Sequence, residues 1–287
     1  MTLASVDVRV YPLADALLPY PSGHLTYALV LDWVRSADPS LAKRCHDDAK
    51  FKPFTVSSLT SRVRPEEEQV HIPKYTECRF RFTTLDQRLY DVLSSVVCGL
   101  LAKKARLEIA GHTFQLLDVF QEPDSDQEGA PEPGRRSLGR LTSFSELVCL
   151  AAPVRTVTLR FHSPTAFRQN LRNLPIPLPL QVFGGLRRKW ESYSPVPLPA
   201  PLPDEVLDDI VISQLRLSSK LWVYPKHKSV GAVGRCTYEL LGKHDEQTLR
   251  ALSVLADFAF FAGVGYRTTM GMGQCSRIEP NTEGGEQ

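Results

Sequence analysis

The order of predicted strands and helices occurs twice along this chain, and that repetition restricts the fold more than any other feature. In the first half, residues 5–11 alternate valines with polar residues, as a half-buried strand does. A helical segment over 24–35, two strands, an amphipathic helix over 86–104 and a strand over 106–120 follow. The first half therefore reads strand, helix, strand, strand, helix, strand.

The second half shows coarsely the same order, without residue-level similarity to the first. Its predicted elements are a strand pair over 145–151 and 154–161, a helix over 182–191, strands over 211–224 and 232–241, a helix over 245–261 and a strand over 272–278. This order is typical of the split βαβ arrangement. We therefore predict an α+β protein of tandem ferredoxin-like (RRM-like) domains.

An acidic segment separates the two halves. Residues 122–134 contain five acids, three prolines and two glycines, with no basic residue before Arg135. Such a composition is typical of a solvated linker or loop insertion. The predicted domains are residues 1–121 and 138–287, joined by 122–137.

The overall composition excludes several classes of protein. Of the 287 residues, 43% are hydrophobic, which excludes a wholly disordered chain. The formal net charge is only +2, so any nucleic acid must be bound by a local basic patch. We find no basic start followed by an apolar run and no stretch long enough to cross a membrane, and the six scattered cysteines form no C-x-x-C pair. We expect a cytoplasmic protein with no metal, cofactor or membrane partner.

Residues 263–273 (GVGYRTTMGMG) form the most unusual string in the chain. Two glycine pairs bracket Arg267 and Thr268, after a predicted helix and before a predicted strand. Glycines permit close backbone approach, and their N–H groups can form an anion-binding nest. The string matches neither a dinucleotide fingerprint nor a P-loop. It is either a phosphate-contacting loop or a tight helix-to-strand turn.

His46 is the candidate proton-transfer residue. It lies near the predicted end of a short helix that begins at Asp38 and Pro39, and Lys50 and Lys52 follow it. Acid–base chemistry at a phosphate requires a group that titrates near neutral pH and a cation that stabilises the negative charge. A histidine with nearby lysines supplies both. The alternative is that His46 only interacts with the C-terminal dipole of its helix.

Other basic residues have two readings each. His24, at a predicted helix start, is a second candidate acid or base. Lys226 and Lys228 lie in a predicted hairpin that either contacts phosphates or is a solvated turn. Residues 187–189 (RRK), beside Trp190, offer charge and a stacking surface, although charge runs on helices usually face solvent.

Four stretches in order along the chain resemble the CRISPR-associated endoribonucleases of the Cas6 type, a branch of the repeat-associated (RAMP) superfamily. Residues 263–273 resemble the glycine-rich signature near the C-terminus of that family. Residues 46–59 are similar to its N-terminal His…Pro-Phe-Thr-x-Ser stretch, residues 159–167 to the strand opening its second domain, and residues 230–238 to the glycine-containing strand before its last helix.

The resemblance implies a function and a site. It implies metal-independent cleavage of CRISPR repeat RNA, with 5′-hydroxyl and 2′,3′-cyclic phosphate ends. His46 matches the catalytic histidine of the family and Lys52 its lysine, whereas Leu31 stands where many members have tyrosine; Tyr27, one turn earlier, is either a substitute or a core residue. The expected RNA-binding residues are Lys50, Lys226, Lys228, Gly263, Gly265, Arg267, Thr268, Gly271 and Gly273.

The expected partners follow from the same resemblance. They are CRISPR repeat RNA, subunits of a CRISPR effector complex and a second copy of the chain. A function of a different class is also open, namely a non-cleaving RNA-binding subunit of an effector complex built on the same fold.

Overall fold

The computed structural model describes residues 1–47, 52–66, 68–120, 139–169, 172–224 and 227–278. The chain divides into two compact units. Unit 1 consists of Met1–Thr142 with Val223–Pro225 and Thr269–Gly271, and unit 2 of Ser143–Trp222, Lys226–Thr268 and Met272–Gln287. The predicted linker over 122–137 lies outside the described residues.

Unit 1 contains the N-terminal strands and helices. Its elements are β1 (Thr2–Pro12), β2 (Ala16–Pro19), α1 (Gly23–Ala37), α2 (Pro39–Asp47), β3 (Phe54–Val56), β4 (Thr60–Ser61), β5 (Gln69–Ile72), β6 (Cys78–Thr84), α3 (Gln87–Ala102), β7 (Arg106–Ile109), β8 (His112–Phe120) and β9 (Arg140–Ser143).

The main sheet of unit 1 has the strand order β3-β6-β1-β8-β7. Strand β1 pairs antiparallel with both β6 and β8, and β3 pairs antiparallel with β6. The first four strands of this order are the second, third, first and fourth of the predicted strand-helix-strand-strand-helix-strand series. Buried valines of β1 pack with apolar side chains of α1 and α3 in one core.

Unit 2 contains the remaining elements. They are α4 (Phe144–Leu150), β10 (Thr156–Thr165), β11 (Phe167–Gln169), β12 (Arg172–Leu174), α5 (Pro179–Tyr193), α6 (Asp204–Asp208), β13 (Ile210–Tyr224), β14 (His227–Leu240), α7 (Glu246–Ala262), a 3-10 turn (Thr268–Met270) and β15 (Cys275–Ile278). The last residues of β13 and of the 3-10 turn belong to unit 1.

The sheet of unit 2 has the order β13-β14-β10-β15, which again places the second, third, first and fourth strands side by side. Strand β10 pairs antiparallel with β14 and β15. Aromatic rings fill the space beside the sheet: Trp190 of α5 packs edge-on against Phe144 and Phe258, at centroid distances of 5.0 and 5.2 Å. The prediction of tandem ferredoxin-like domains is confirmed.

One predicted strand is a helix. Residues 145–151 were expected to be extended, but Phe144–Leu150 forms α4. The hydroxyl of Ser143 accepts a hydrogen bond from the Glu146 N–H at 3.1 Å, so Ser143 is the N-cap, with an acidic residue in the first turn. Capping decides the structure because an apolar run of this length suits a strand or a helix equally.

Candidate functional site

Two successive helices of unit 1 bring Tyr27 and His46 together. Helix α2 begins at Pro39, and the Asp38 carboxylate accepts a hydrogen bond from the Leu41 N–H at 2.9 Å. Hydrogen bonds from Ser40 and from the Leu41 backbone hold the pKa of Asp38 at about 2, so this cap is charged at neutral pH. The predicted cap and start of α2 are confirmed, and they place His46 in its last turn.

The Tyr27 hydroxyl and His46 Nδ1 are 3.1 Å apart, which is hydrogen-bond distance. The Tyr27 ring stacks on Phe54 of β3 with a centroid distance of 6.0 Å and is 9% exposed, whereas His46 is exposed. Burial raises the pKa of Tyr27, so its hydroxyl keeps its proton at neutral pH. A buried, protonated phenol thus supports an accessible imidazole.

The direction of this hydrogen bond is coupled to the protonation of the second ring nitrogen, Nε2. When the Tyr27 hydroxyl donates to Nδ1, the neutral imidazole carries its proton on Nε2; only the imidazolium, protonated on both nitrogens and donating from Nδ1 to the hydroxyl oxygen, can act as an acid at Nε2. When protonated Nδ1 donates to the hydroxyl oxygen, Nε2 of the neutral ring carries the lone pair and can act as a base. The arrangement accommodates either direction of proton transfer at Nε2.

Lys52 lies beside the same helix end. Its Nζ donates to the backbone carbonyl of His46 at 2.5 Å. This contact satisfies a carbonyl in the last turn of α2, where a cation also interacts favourably with the helix dipole. The structure therefore brings together His46, Lys52 and Tyr27, while Lys50 lies outside the described residues.

The two neighbouring positions considered from the sequence differ in exposure. Leu31 is 4% exposed and packs within the apolar core of unit 1. His24, in the first turn of α1, is half-buried; burial lowers its pKa, against the effect of a hydrogen bond with the Pro21 backbone. His24 therefore favours the neutral imidazole, and no contact with His46 is among its interactions in the described structure.

In unit 2, backbone contacts fix the two ends of the glycine-rich loop. The Val264 N–H donates to the Gly273 carbonyl at 2.9 Å, and the Gly273 N–H donates to the Pro164 carbonyl at 3.1 Å. Gly273 has φ +68°, and a Cβ atom there would lie 2.1 Å from the Val264 oxygen. Gly263 and Thr268 meet in the same fold of the chain. These contacts require glycine at position 273.

Residues 269–271 of the loop belong to unit 1. The Gly271 N–H donates to the Val56 carbonyl at 2.9 Å. At Gly23, the first residue of α1, a Cβ atom would lie 2.2 Å from the Met270 carbonyl oxygen. This part of the loop therefore lies against the start of the helix that carries Tyr27.

The expectation that residues 187–189 face solvent is wrong for Lys189. Its side chain is buried, and its Nζ donates to the carbonyls of Ala262 and Gly263 at 2.6 and 2.9 Å. Burial lowers its pKa to about 7. Trp190 is buried as well and offers no stacking surface. The signal was available: Val182, Phe183, Leu186, Lys189 and Trp190 follow the spacing of one buried helix face.

The remaining predicted RNA-binding residues differ in exposure. Lys228 is exposed on β14, and Lys226 lies outside the described residues. Gly265 is exposed, and Arg267 is half-buried with φ +57°. The residues that the structure describes contain no group of three or more histidine, cysteine or acidic side chains that could hold a metal ion. No helix in that part of the chain is long and apolar enough to cross a membrane.

Two family models match this chain. The model described as "CRISPR Cas6 N-terminal domain" matches residues 4–130, and the model described as "CRISPR-associated endoribonuclease Cas6" matches residues 159–275. Together they span well over half of the chain, and their order is the order of the two predicted domains. Among curated proteins, no relative matches.

Solved structures of Cas6 proteins have a similar fold. A Cas6 product complex is 25% identical and has a TM-score of 0.76, with 96% of this chain and 100% of that chain covered. Another Cas6 product complex is 23% identical with the same TM-score, covering 97% and 100%. Cas6 from Thermus thermophilus is 26% identical with a TM-score of 0.65, covering 96% and 98%.

Proposed function

The chain belongs to the Cas6 family of CRISPR-associated endoribonucleases, and from this premise we propose that it cuts CRISPR repeat RNA by attack of the RNA's own 2′-hydroxyl. The observation that carries the proposal is the hydrogen bond between the Tyr27 hydroxyl and His46 Nδ1, with Lys52 at the same helix end. His46 can transfer a proton and Lys52 can stabilise negative charge, and the reaction requires both.

The proposed reaction needs two proton transfers and stabilisation of one negative charge. The 2′-oxygen loses its proton and bonds to phosphorus, the bond from phosphorus to the 5′-oxygen breaks, and the departing 5′-oxygen takes up a proton. The products are a 2′,3′-cyclic phosphate and a 5′-hydroxyl. No metal is required, because the nucleophile belongs to the RNA and the charge can be met by a cation of the protein.

We assign these tasks to three side chains. His46 Nε2 carries out one of the two proton transfers, as general acid or base, because the ring is exposed and its other nitrogen is engaged by Tyr27. Tyr27 positions the imidazole through its hydrogen bond with Nδ1. Lys52 places a positive charge beside His46 that stabilises the phosphorane.

The proposed RNA-binding residues lie on the glycine-rich loop and on the flanking basic segments. The loop residues are Gly263, Gly265, Arg267, Thr268, Gly271 and Gly273, and the basic ones are Lys50, Lys226 and Lys228. Product complexes are known for the similar Cas6 proteins, which supports repeat RNA as the ligand. Effector subunits, a second copy of the chain and the domain limits 1–121 and 138–287 remain predictions.

A non-cleaving RNA-binding subunit is the second candidate, and one observation favours it. The position that matches the family tyrosine is Leu31, a buried core residue with no proton to give. The discriminating measurement is cleavage of the repeat RNA from the host's own array in excess EDTA. Cutting under chelation supports the enzyme, and tight binding without cutting supports the subunit.

A pair of matched variants tests the site. His46→Ala is expected to lower the single-turnover cleavage rate by about 10²–10⁴-fold with repeat affinity nearly unchanged. His71→Ala removes an exposed histidine of β5 in the same unit and is expected to cleave like the wild type. If His46→Ala cleaves normally while His24→Ala does not, proton transfer belongs to His24. If all three cleave normally, the proposed site is wrong.

A further inference from the structure

Tyr266, within the glycine-rich loop, lies close to two arginines of unit 2. The guanidinium carbon of Arg267 is 5.1 Å from the centre of the Tyr266 ring, and that of Arg168 is 5.6 Å from it. Arg168 Nη1 also donates to the Tyr266 hydroxyl at 3.4 Å. Two charged hydrogen-bond donors thus lie beside one phenol.

Backbone contacts build this cluster. The Tyr266 N–H donates to the Ala166 carbonyl at 2.8 Å, and Arg168 follows two residues after Ala166, on β11. A Cβ atom at Gly265 would lie 2.4 Å from that same carbonyl oxygen, so glycine is needed for the approach. The main chain therefore holds residue 266 next to the strand that carries Arg168.

Arg267 occupies its position at a conformational cost. Its φ of +57° lies in the left-handed region, which is unfavourable for a side chain of this kind by about 1–2 kcal/mol. Residues held in such conformations cluster at ligand-binding sites.

The electrostatics of the cluster favour an anion. Partial burial acts to raise the pKa of Tyr266, but the hydrogen bonds and charges of Arg267 and Arg168 outweigh it, and the pKa lies below its ordinary value. The cluster therefore stabilises negative charge at the phenol oxygen. Among the described residues, none of the ion pairs includes Arg168, and its side chain is exposed.

We propose that Arg168, Tyr266 and Arg267 form a binding site for one phosphate group of the RNA backbone. The site rests on the proposed function, which assigned only Arg267 to RNA, and it adds Arg168 and Tyr266. Two guanidiniums offer paired N–H donors that match phosphate geometry, and the Tyr266 hydroxyl offers a third donor. An anion that contacts both guanidiniums also offsets their mutual repulsion.

The test uses the full chain and the host's repeat RNA, 2′-O-methylated throughout so that every phosphate stays and the nucleophile is gone. Dissociation constants are measured across about 50 to 300 mM KCl. Arg168→Ala is expected to weaken binding about tenfold. It should also reduce the slope of log K against log salt by about 0.7, the share of one phosphate contact with a single strand.

Two further variants separate charge from packing. Tyr266→Phe keeps the ring and removes a neutral donor, so it should weaken binding about threefold without changing the salt slope. Arg188→Ala, which removes an exposed arginine of α5 in the same unit, is the charge-matched control and should change neither quantity. If Arg168→Ala lowers affinity with an unchanged slope, Arg168 only packs on Tyr266 and the site does not exist.

Free inorganic phosphate tests whether the site binds a phosphate of RNA or a free phosphate ion. It also separates failure of this site from failure of the proposed function. At equal ionic strength, phosphate in place of chloride should not raise the melting temperature of the wild type, because a single phosphate lacks the adjoining contacts of the chain. A rise that Arg168→Ala abolishes, with no change of RNA slope, would overturn RNA as the ligand. If the wild type fails to bind the repeat and phosphate has no effect, both proposals are wrong. Normal repeat binding with an unchanged Arg168→Ala slope rejects the site alone.

Discussion

Replacement of the buried Lys189 by methionine should change how stability depends on pH. In the folded protein Lys189 loses its proton at about pH 7, whereas an unfolded chain holds a lysine proton up to about pH 10.5. Between these values the unfolded state binds more protons, so the stability of the wild type rises as pH rises. The stability of Lys189→Met lacks this dependence on pH.

The magnitude follows from the pKa difference. Each pH unit between the two pKa values adds about 1.4 kcal/mol to the free energy of unfolding. Nearly two such units, from pH 7 to pH 9, fall within the interval from pH 6 to pH 9. Relative to Lys189→Met, the wild type should therefore gain about 2.5 kcal/mol over that interval. A second, pH-independent difference arises because the Ala262 and Gly263 carbonyls lose their donor, at about 1–3 kcal/mol each.

Urea unfolding of both proteins at pH 6, 7, 8 and 9 measures the difference directly. Lys243→Met, which replaces an exposed lysine of unit 2, is the control and should differ from the wild type by the same amount at each pH. If Lys189→Met shows a constant difference as well, the two carbonyls keep Lys189 protonated throughout. The reasoning from burial would then be refuted.

Three shorter predictions concern the proposed RNA site. Tyr27→Phe removes the hydroxyl that holds His46 Nδ1 and should slow cleavage about 10–100-fold, with a shifted pH–rate profile and unchanged repeat affinity; an unchanged profile would leave Tyr27 as a core residue only. A 2′-deoxy nucleotide at the cut position should abolish cleavage and spare binding, and residual cutting there would exclude attack by the RNA itself. Gly273→Val places a side chain against the Val264 carbonyl and should weaken binding in a folded protein; normal affinity would show that the loop does not contact RNA.

The sequence predicted the elements that carry strong periodicity. Helix α3 and helix α7 were both located to within a few residues, because caps at Asp86 and Asp245 begin them and apolar residues recur along one face. The strands β2 and β5 were missed. Each has four residues, and they pair with one another across about fifty residues of chain, so their stability comes from tertiary pairing rather than from a local pattern.

The site was predictable residue by residue but not as contacts. His46, Lys52 and Tyr27 were each noted, yet the 3.1 Å approach of Tyr27 to His46 depends on how α1 and α2 pack. For Lys189, neither the burial nor the contacts were predicted. Its partners are main-chain carbonyls more than seventy residues away, and a carbonyl leaves no mark on a side-chain pattern.

Helix α7 has buried side chains on nearly all of its faces, and it leads directly into the glycine-rich loop. Its amides should exchange with deuterium only through the largest unfolding events of unit 2, because no smaller opening exposes them. A loop attached to such a helix, and held again at Val264 and Tyr266, has little conformational entropy left to lose when a ligand arrives. Binding then orders little of the protein. The affinity therefore depends on the dissociation rate of the complex rather than on the fraction of free protein whose loop is in the bound conformation.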